Sequence, residues 1–232
     1  MSRPIVARAG GSRARPRPVW AVVPAKSLDR GKSRLSPVLD DAERARFAGE
    51  LLEHVLAVLG RSGLDGVLVA TDGDDVAALA RAHGAHVLLD AGTGRARAGG
   101  RTRPHRSAGQ DTPRLAAVVD EALAEVQARG AAAALVFMAD LPRIEVSDVH
   151  QLAAALDDRA VVLVRDHLGP HTNALGLALP TRMPTCFGRP DSFDAHCAAA
   201  RAAGLDVVVV DSPRVAFDVD APADHAALGR NR

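Results

Sequence analysis

Aromatic side chains are scarce in this 232-residue sequence. Phenylalanine, tryptophan and tyrosine together make up 3% of the residues, and tyrosine is absent. Proteins that bind single-stranded nucleic acid usually stack the bases on aromatic side chains, so the composition argues against that class. The formal net charge of +1 also predicts neither a nucleic-acid partner nor a membrane partner. The core must therefore be built mainly from alanine, valine and leucine.

Cysteine and long apolar runs are scarce as well. The two cysteines, Cys186 and Cys197, are too few for a disulfide framework. Together with His196 they could ligate a metal, but a fourth ligand at a recognisable spacing is missing, and two buried structural thiols fit better. No stretch approaches the roughly 18 apolar residues of a membrane helix. Residues 1–18 are rich in arginine and proline and lack the apolar segment of a secretory signal. We therefore expect a flexible tail at residues 1–18 and a reduced, cytoplasmic setting.

Lysine is almost missing, and its placement is informative. Only two of the 29 basic side chains are lysine. Both of them, Lys26 and Lys32, lie in a segment that opens at Pro24 and also contains Arg34. Lysine and arginine differ in shape and hydration, so this placement asks for a chemical reason. An apolar run at residues 19–23 precedes the segment, and a strand followed by a polar loop and a helix can cradle phosphates. The cations favour a triphosphate, whose charge must be neutralised before an anionic nucleophile approaches; the alternative is chance within an arginine-biased composition.

Short apolar runs alternate with helical patterns along most of the chain. Strands are predicted at residues 19–23, 67–70, 86–89, 134–139, 161–164, 175–179 and 207–210. Helices are predicted at residues 40–59, 72–83, 113–129, 147–156 and 191–203. This alternation predicts an α/β fold with one Rossmann-like, mostly parallel twisted sheet, in a single domain over residues 19–228. In such folds the ligand lies beyond the carboxyl ends of the strands.

Residues 91–110 interrupt this pattern. The segment contains five arginines and several glycines, and its apolar residues have no regular spacing. Long loops in compact domains usually serve as lids or are disordered, so both an anion-binding lid and a solvated insertion remain open. An RNA-binding patch is less favoured because no aromatic residue lies between the arginines.

Carboxylates follow two of the predicted strands. Asp140 comes directly after the strongest apolar run, where a carboxylate can hold Mg²⁺ against phosphate oxygens. Helix capping is the alternative, but the next predicted helix starts only near Ser147. Asp218 and Asp220 alternate, so both would point to one side of an extended segment, where they repel each other unless a cation lies between them. Because Asp220 precedes Pro222, it could also begin a helix, with Asp218 directed toward the metal and Asp220 toward the helix.

Small polar residues cluster in two further loops. Thr172, Asn173, Gly188 and Ser192 offer hydroxyl, amide and backbone donors, which suit the phosphate and carboxylate of a small acid. His196 could be a ligand or a base, although a single histidine in a helix is more often structural.

Five motifs occur in the order found in one known enzyme family. They are Pro-x-Lys-x-Leu-Asp-x-x-Lys-Ser-Arg-Leu from Pro24, Ala-Asp-Leu-Pro around Asp140, Thr-Asn-Ala-Leu from Thr172, Phe-Gly followed by Ser-Phe-x-x-His, and Asp-Val-Asp-x-Pro-x-Asp from Asp218. In this order the sequence resembles the 2-phospho-L-lactate / phosphoenolpyruvate guanylyltransferase family of coenzyme F-420 biosynthesis. The resemblance covers about residues 19–228.

The resemblance implies a nucleotidyltransferase fold similar to that of the molybdenum-cofactor guanylyltransferases. It implies that GTP and a phosphorylated three-carbon acid give a guanylyl diphosphate ester and pyrophosphate, with Mg²⁺ as cofactor. Residues implied to bind the metal are Asp140 and Asp218. Residues implied to bind the triphosphate or to act in catalysis are Lys26, Lys32 and Asp140, with Pro24 and Arg34 in the same nucleotide-binding segment. Residues implied to bind the acid are Thr172, Gly188 and Ser192, with Asn173 beside them.

The sequence departs from the family pattern in three places. Residues 109–111 read Gly-Gln-Asp where the family usually has Gly-Leu-Asn, His171 replaces a glycine, and one extra residue lies between Gly188 and Ser192. These changes keep two alternatives open. One is a related transferase that acts on another acceptor, such as 3-phosphoglycerate or a sugar phosphate, and the other is a non-catalytic nucleotide-binding protein. The sequence does not determine the oligomeric state, and a homodimer is one possible assembly.

Overall fold

The computed structural model describes residues 17–89 and 112–229 of the chain. Most of the predicted tail at residues 1–18 and all of the predicted loop at residues 91–110 lie outside these ranges. The seven strands of the described part are β1 (Val19–Ala25), β2 (Gly66–Thr71), β3 (His86–Leu89), β4 (Ala133–Phe137), β5 (Ala160–Arg165), β6 (Thr172–Ala178) and β7 (Asp206–Val209). They form one sheet in the order β3-β2-β1-β4-β6-β5-β7.

The sheet is mostly parallel, as the sequence predicts. β1 pairs in parallel with β2 and β4, β2 with β3, and β5 with β7. β6 alone runs antiparallel to both of its neighbours, β4 and β5. A parallel connection needs a crossover of about a dozen residues or more, and only residues 166–171 join β5 to β6. The short turn therefore forces β6 to reverse direction.

The helices of the described part are α1 (Asp41–Arg61), α2 (Asp74–Ala82), α3 (Thr112–Ala128), α4 (Val146–Ala154), α5 (Ser192–Ala202), α6 (Pro213–Ala216) and α7 (Pro222–Gly229). The five predicted helices correspond to α1–α5, with ends that agree within two residues. α1 begins at a capping box, in which Asp40 accepts from the backbone of Glu43 at 2.8 Å and Glu43 accepts from the backbone of Asp40 at 2.9 Å. α6 was not predicted, because its four residues are too few to show a helical apolar period, whereas α7 begins at Pro222, where the sequence offers a helix entry.

Helices cover both faces of the sheet. Consecutive side chains of a strand point to opposite faces, and in β1 both Val22 and Val23 are fully buried. Val23 packs in the cluster that contains residues of α1, α2 and α4, and Val22 packs in the cluster that contains residues of α3 and α5. Each fully buried valine or leucine contributes about 1.5–3 kcal/mol. The aliphatic core therefore fixes the sheet, and with it the loops at the carboxyl ends of its parallel strands.

The loop after β1 has an unusual backbone. It forms two short 3-10 turns, Leu28–Arg30 and Ser33–Leu35, and between them Lys32 adopts a left-handed conformation with φ of 54°. Such a conformation costs a non-glycine residue on the order of 1–3 kcal/mol and persists only where the surroundings hold it. Gly73, just after β2, packs closely on this loop, because a Cβ atom at Gly73 would lie 2.7 Å from the Cα of Ser27. The loops after β1 and β2 thus support each other.

Across residues 17–89 and 112–229, none of the helices has both the length and the apolar character needed to cross a bilayer.

Candidate active site

Three carboxylates meet at the edge of the sheet where β4 ends. Asp140 follows β4, whereas Asp218 and Asp220 lie between α6 and α7. One potential ligand atom from each of the three residues lies within 4.8 Å of the others. The structure therefore brings together Asp140 and Asp218, the two residues predicted to bind metal.

Asp220 belongs to the same cluster, which differs from the expectation that its carboxylate would face the following helix. That position is filled by Asp224, whose Oδ2 accepts from the backbone amides of Asp220 at 3.1 Å and Ala221 at 2.8 Å. Because Asp224 caps α7, the Asp220 side chain is available to the cluster. Asp220 is thus a third potential metal ligand.

Lys32 lies among these carboxylates. Its Nζ donates to Asp140 and to the carbonyl of Val219 at 2.7 Å, and it lies 3.5 Å from Oδ1 of Asp220. The side chain is only 8% exposed. Burial alone would lower the pKa of Lys32, but the charges of Asp140, Asp220 and Asp218 and the hydrogen bond to Asp140 raise it above its usual value. Lys32 therefore remains an ammonium group, and its many contacts hold the left-handed backbone in place.

Lys32 leaves the carboxylates incompletely neutralised. Burial raises the pKa of Asp218, the nearby charges of Asp140 and Asp220 raise it further, and a hydrogen bond from Asn173 opposes the shift. Arg34 lies 3.3 Å from Asp220 but is largely exposed, so solvent weakens that pair. Three carboxylates around one buried ammonium form an all-oxygen donor set, which fits a hard divalent cation.

The amide nitrogen of Asn173, a residue predicted to bind the substrate acid, donates to groups of the protein. Asn173 is buried, and its Nδ2 lies 3.1 Å from the carbonyl of Val215, 3.0 Å from that of Ala216 and 3.2 Å from Oδ1 of Asp218. An amide nitrogen has two hydrogens to donate, so these three acceptors use its donor capacity. Asn173 therefore orients Asp218 and the backbone that precedes it.

His167 is a residue of the site that the sequence reasoning missed. Its Nδ1 lies 3.2 Å from Asp218 and its Nε2 lies 3.2 Å from Asp224. Burial would lower the pKa of His167, but the two carboxylates raise it overall. The available signal was its position just after the predicted strand at residues 161–164, where the other polar site residues also follow strands.

The predicted acid-binding residues Thr172 and Ser192 do come together. The backbone N–H of Thr172 donates to Oγ of Ser192 at 3.1 Å, and Oγ1 of Thr172 lies 3.0 Å from Nδ1 of His196. Both side chains are buried. Gly188, the third residue of this group, is exposed and has a φ of 83° in the loop before α5, a conformation that favours glycine.

His196 has a structural role in this region. It is fully buried, and its Nε2 accepts the backbone N–H of Cys186 at 2.8 Å. Nε2 therefore carries no proton, so the neutral ring has its hydrogen on Nδ1 and donates it to Thr172. Burial lowers the pKa of His196 to about 4, which keeps the ring neutral. These contacts and the burial of the ring support the interpretation of His196 as structural.

The remaining predicted nucleotide-binding residues lie in β1 and in the loop that follows it. Pro24 is buried within β1, where it pairs with Ala70 of β2. Lys26 is exposed one residue after the strand ends. Lys26, Lys32 and Arg34 therefore lie on one loop, and the last two reach the carboxylate cluster.

Two arginines meet next to this loop. Asp72, just after β2, pairs with Arg30 and with Arg114 of α3, each at 2.8 Å, and it accepts the backbone N–H of Ser27 at 3.3 Å. Arg30 also lies 3.8 Å from Asp29, so two carboxylates balance the two guanidinium groups. Neither arginine was predicted, because the partner that joins them, Asp72, is distant from both in sequence.

The sheet order and helix arrangement define a nucleotidyltransferase-like fold. The chain is similar to a solved protein of Desulfovibrio desulfuricans that is assigned to the nucleotide-diphospho-sugar transferases, with a TM-score of 0.67 and 14% identity over 93% of this chain and 87% of that one. The predicted fold class is therefore confirmed.

Sequence comparison gives the family. Residues 110–228 match the family described as guanylyl transferase CofC like. The chain is 37% identical over 211 residues to the phosphoenolpyruvate guanylyltransferase of Rubrobacter xylanophilus, covering 90% of this chain and 93% of that protein. It is 35% identical over 216 residues to the enzyme of the same name from Sphaerobacter thermophilus, covering 90% and 94%. The chain belongs to the CofC-like guanylyl transferase family, which confirms the resemblance found in the motifs.

Proposed function

We propose that the protein transfers GMP from GTP to phosphoenolpyruvate and releases pyrophosphate, as a step of coenzyme F-420 biosynthesis. The observation that carries this proposal is the cluster of Asp140, Asp218 and Asp220 around Lys32 in a chain of this family. The motifs leave phosphoenolpyruvate and 2-phospho-L-lactate open as acceptors, and the names of the two relatives favour phosphoenolpyruvate.

Mg²⁺ is the proposed cofactor, and Asp140, Asp218 and Asp220 would hold it. Their carboxylate oxygens are the ligands that Mg²⁺ prefers, together with substrate phosphates. When bound, the ion would neutralise charge on the phosphate oxygens and act as a Lewis acid.

The proposed reaction needs no side-chain nucleophile. The acceptor phosphate is already anionic at neutral pH, so one of its oxygens can form the new bond to the α-phosphorus of GTP. The bond from that phosphorus to the bridging oxygen breaks, and pyrophosphate leaves with the electron pair. The protein's contribution is then positioning and charge neutralisation. Lys32 supplies a buried ammonium group for this purpose, and Lys26 and Arg34 supply further positive charge along the same loop.

The acceptor is proposed to bind at the start of β6. Oγ1 of Thr172 accepts a hydrogen from His196, so its own hydroxyl hydrogen remains to be donated. Thr172, Ser192 and the exposed Gly188 turn lie at the same edge of the sheet as the end of β4, because β6 runs antiparallel to β4. An acid bound there would place its phosphate toward the carboxylate cluster.

The proposed catalytic unit spans residues 19–228 and acts on small molecules in the cytoplasm, without a nucleic-acid or membrane partner. The molar mass from light scattering would show whether the protein is a monomer or a homodimer.

The decisive experiment measures pyrophosphate release by the full chain with GTP and Mg²⁺. Phosphoenolpyruvate, 2-phospho-L-lactate and 3-phosphoglycerate are tested in separate reactions, and ATP and CTP replace GTP as controls. We expect release with GTP and phosphoenolpyruvate. Pyrophosphate release only with 3-phosphoglycerate would identify that acid as the acceptor in place of phosphoenolpyruvate. GTP binding without pyrophosphate release in any reaction would favour a non-catalytic protein.

A further inference from the structure

We propose that His167 and Asp224 are positioning residues, which hold Asp218 and the segment up to Asp220 in the arrangement that binds a divalent cation. This inference rests on the proposed function, since it concerns the same carboxylate cluster. Neither residue belongs to the cluster itself, and each acts through hydrogen bonds to it.

The imidazole of His167 bridges two carboxylates. Nδ1 lies 3.2 Å from Oδ1 of Asp218, and Nε2 lies 3.2 Å from Oδ1 of Asp224. Two further contacts hold His167 in this place: its backbone N–H donates to the carbonyl of Ala216 at 2.8 Å, and its ring packs on Phe217 with 5.2 Å between centroids. His167 is therefore fixed against the residues that directly precede Asp218.

Asp224 holds the other end of the segment. Its Oδ1 faces His167, while its Oδ2 accepts the backbone amides of Asp220 and Ala221. Asp224 is buried, so water competes little for these hydrogen bonds. One histidine and one carboxylate thus connect the side chain of Asp218 to the backbone that follows Asp220.

These contacts also select the oxygen of Asp218 that can bind a cation. Nδ1 of His167 and the donor Nδ2 of Asn173 both lie against Oδ1, which leaves Oδ2 for a ligand shared with Asp140 and Asp220. Partners that orient metal ligands in this way commonly contribute 10–100-fold to metal affinity.

The test measures the affinity of the full chain for Mn²⁺ without substrate. The concentration of free Mn²⁺ is monitored by electron paramagnetic resonance. We expect His167→Ala to weaken Mn²⁺ binding by roughly 10–100-fold while the variant stays folded. His150→Ala is the matched control, because the His150 ring also forms a hydrogen bond within the protein, with the carbonyl of Ser62 at 2.9 Å, but takes no part in the cluster. We expect its Mn²⁺ affinity to stay within about twofold of wild type, by the same scale of second-sphere effects.

Conservative variants separate positioning from folding. The amide nitrogen of His167→Asn falls near the position of Nδ1 and can still donate to Asp218, whereas that of His167→Gln falls near Nε2 and can donate to Asp224. We expect the asparagine variant to recover more Mn²⁺ affinity than the glutamine variant. If the alanine variant does not fold, the inference is tested with the asparagine and glutamine variants alone. Wild-type Mn²⁺ affinity in both of them would overturn it.

The outcomes also distinguish this inference from the proposed function. A folded His167→Ala protein that binds Mn²⁺ as tightly as wild type would refute the positioning role and leave the guanylyl transfer untouched. If the wild type binds no Mn²⁺, the proposed cation site and this inference are both wrong. The proposed guanylyl transfer is then tested independently by the assay of pyrophosphate release.

Discussion

Lys32 and Asp140 form an ion pair although 108 residues separate them in the sequence. Lys32 lies in the loop after β1 and Asp140 follows β4, and these strands are parallel neighbours in the sheet. Their carboxyl ends therefore meet at one edge, so the pair is a direct result of the strand order. It gives the site a cation that is present before any substrate or metal binds.

Replacing Asp140 with asparagine should nearly abolish pyrophosphate release. The change removes a negative charge from the proposed metal site, and losing a metal's contribution costs several kcal/mol, which corresponds to a rate loss of over roughly 100-fold. The exposed Asp206→Asn on β7 serves as control and should keep wild-type turnover. Near-full turnover by Asp140→Asn would show that the metal assignment is wrong.

Replacing Lys32 with arginine should also lower turnover, by roughly 100-fold, even though the positive charge is kept. The side chain is buried among Asp140, Val219 and Asp220, and a planar guanidinium cannot occupy the volume of a compact ammonium. Lys32→Met is the companion variant, because its unbranched side chain removes the charge while it roughly keeps the shape of lysine. Melting temperatures of both variants monitor folding, and an arginine variant with wild-type kcat would contradict the requirement for lysine.

How much of this site the sequence predicts depends on how local the signal is. Asp140, Asp218 and Lys32 follow apolar runs or lie in dense motifs, so their position at one edge follows from the parallel sheet. The engagement of Asn173 could not be predicted, because its acceptors belong to residues more than 40 positions away. His167 was missed for the same reason, since both of its carboxylate partners lie beyond residue 217.

The fold shows the same division between local and distant signals. Continuous valine and alanine runs predict all seven strands. For β6, however, the runs predict a start at residue 175, whereas the strand begins at Thr172. Thr172 and Asn173 are polar yet buried, so the hydrophobic pattern does not include them. The reversed direction of β6 depends on the short connection at residues 166–171. The predicted strands at residues 161–164 and 175–179 leave a longer connection, so the sequence does not predict the reversal.

Acid should destabilise the protein in part through His196. Its folded-state pKa is lowered to about 4, whereas the unfolded chain titrates near 6.5. Between these values the unfolded state binds more protons, so the stability contributed by the neutral ring is full above pH 6.5 and decreases as the pH falls toward 4. The shift corresponds to roughly 3 kcal/mol.

Urea unfolding of wild type and His196→Gln at several pH values measures this effect. The difference in unfolding free energy between the two proteins should shrink as the pH falls from 7 to 4. His150→Gln is the control and should follow the wild-type slope. Parallel pH profiles for wild type and His196→Gln would mean that the ring is protonated at a normal pH in the folded protein.

Removing residues 1–16 should leave pyrophosphate release and the melting temperature unchanged within experimental error. The proposed catalytic unit begins at residue 19, and the site residues all follow it. Full-length and truncated proteins are compared under the same GTP and phosphoenolpyruvate concentrations. A marked rise in KM for either substrate would place part of the binding site in the removed segment.

The short turn between β5 and β6 connects the proposed cation site to the proposed acid site. Its first part carries His167, which contacts Asp218 of the proposed cation site, and its last residue, His171, leads directly into Thr172. Asp166 ties the turn together by accepting the backbone amides of Gly169 and His171 at 2.7 and 2.9 Å. A mutation that reshapes this turn to admit a different acid would therefore also disturb cation affinity. Acceptor preference and metal dependence should therefore vary together among natural variants of this turn. A designer who changes the acceptor preference will have to restore the cation affinity.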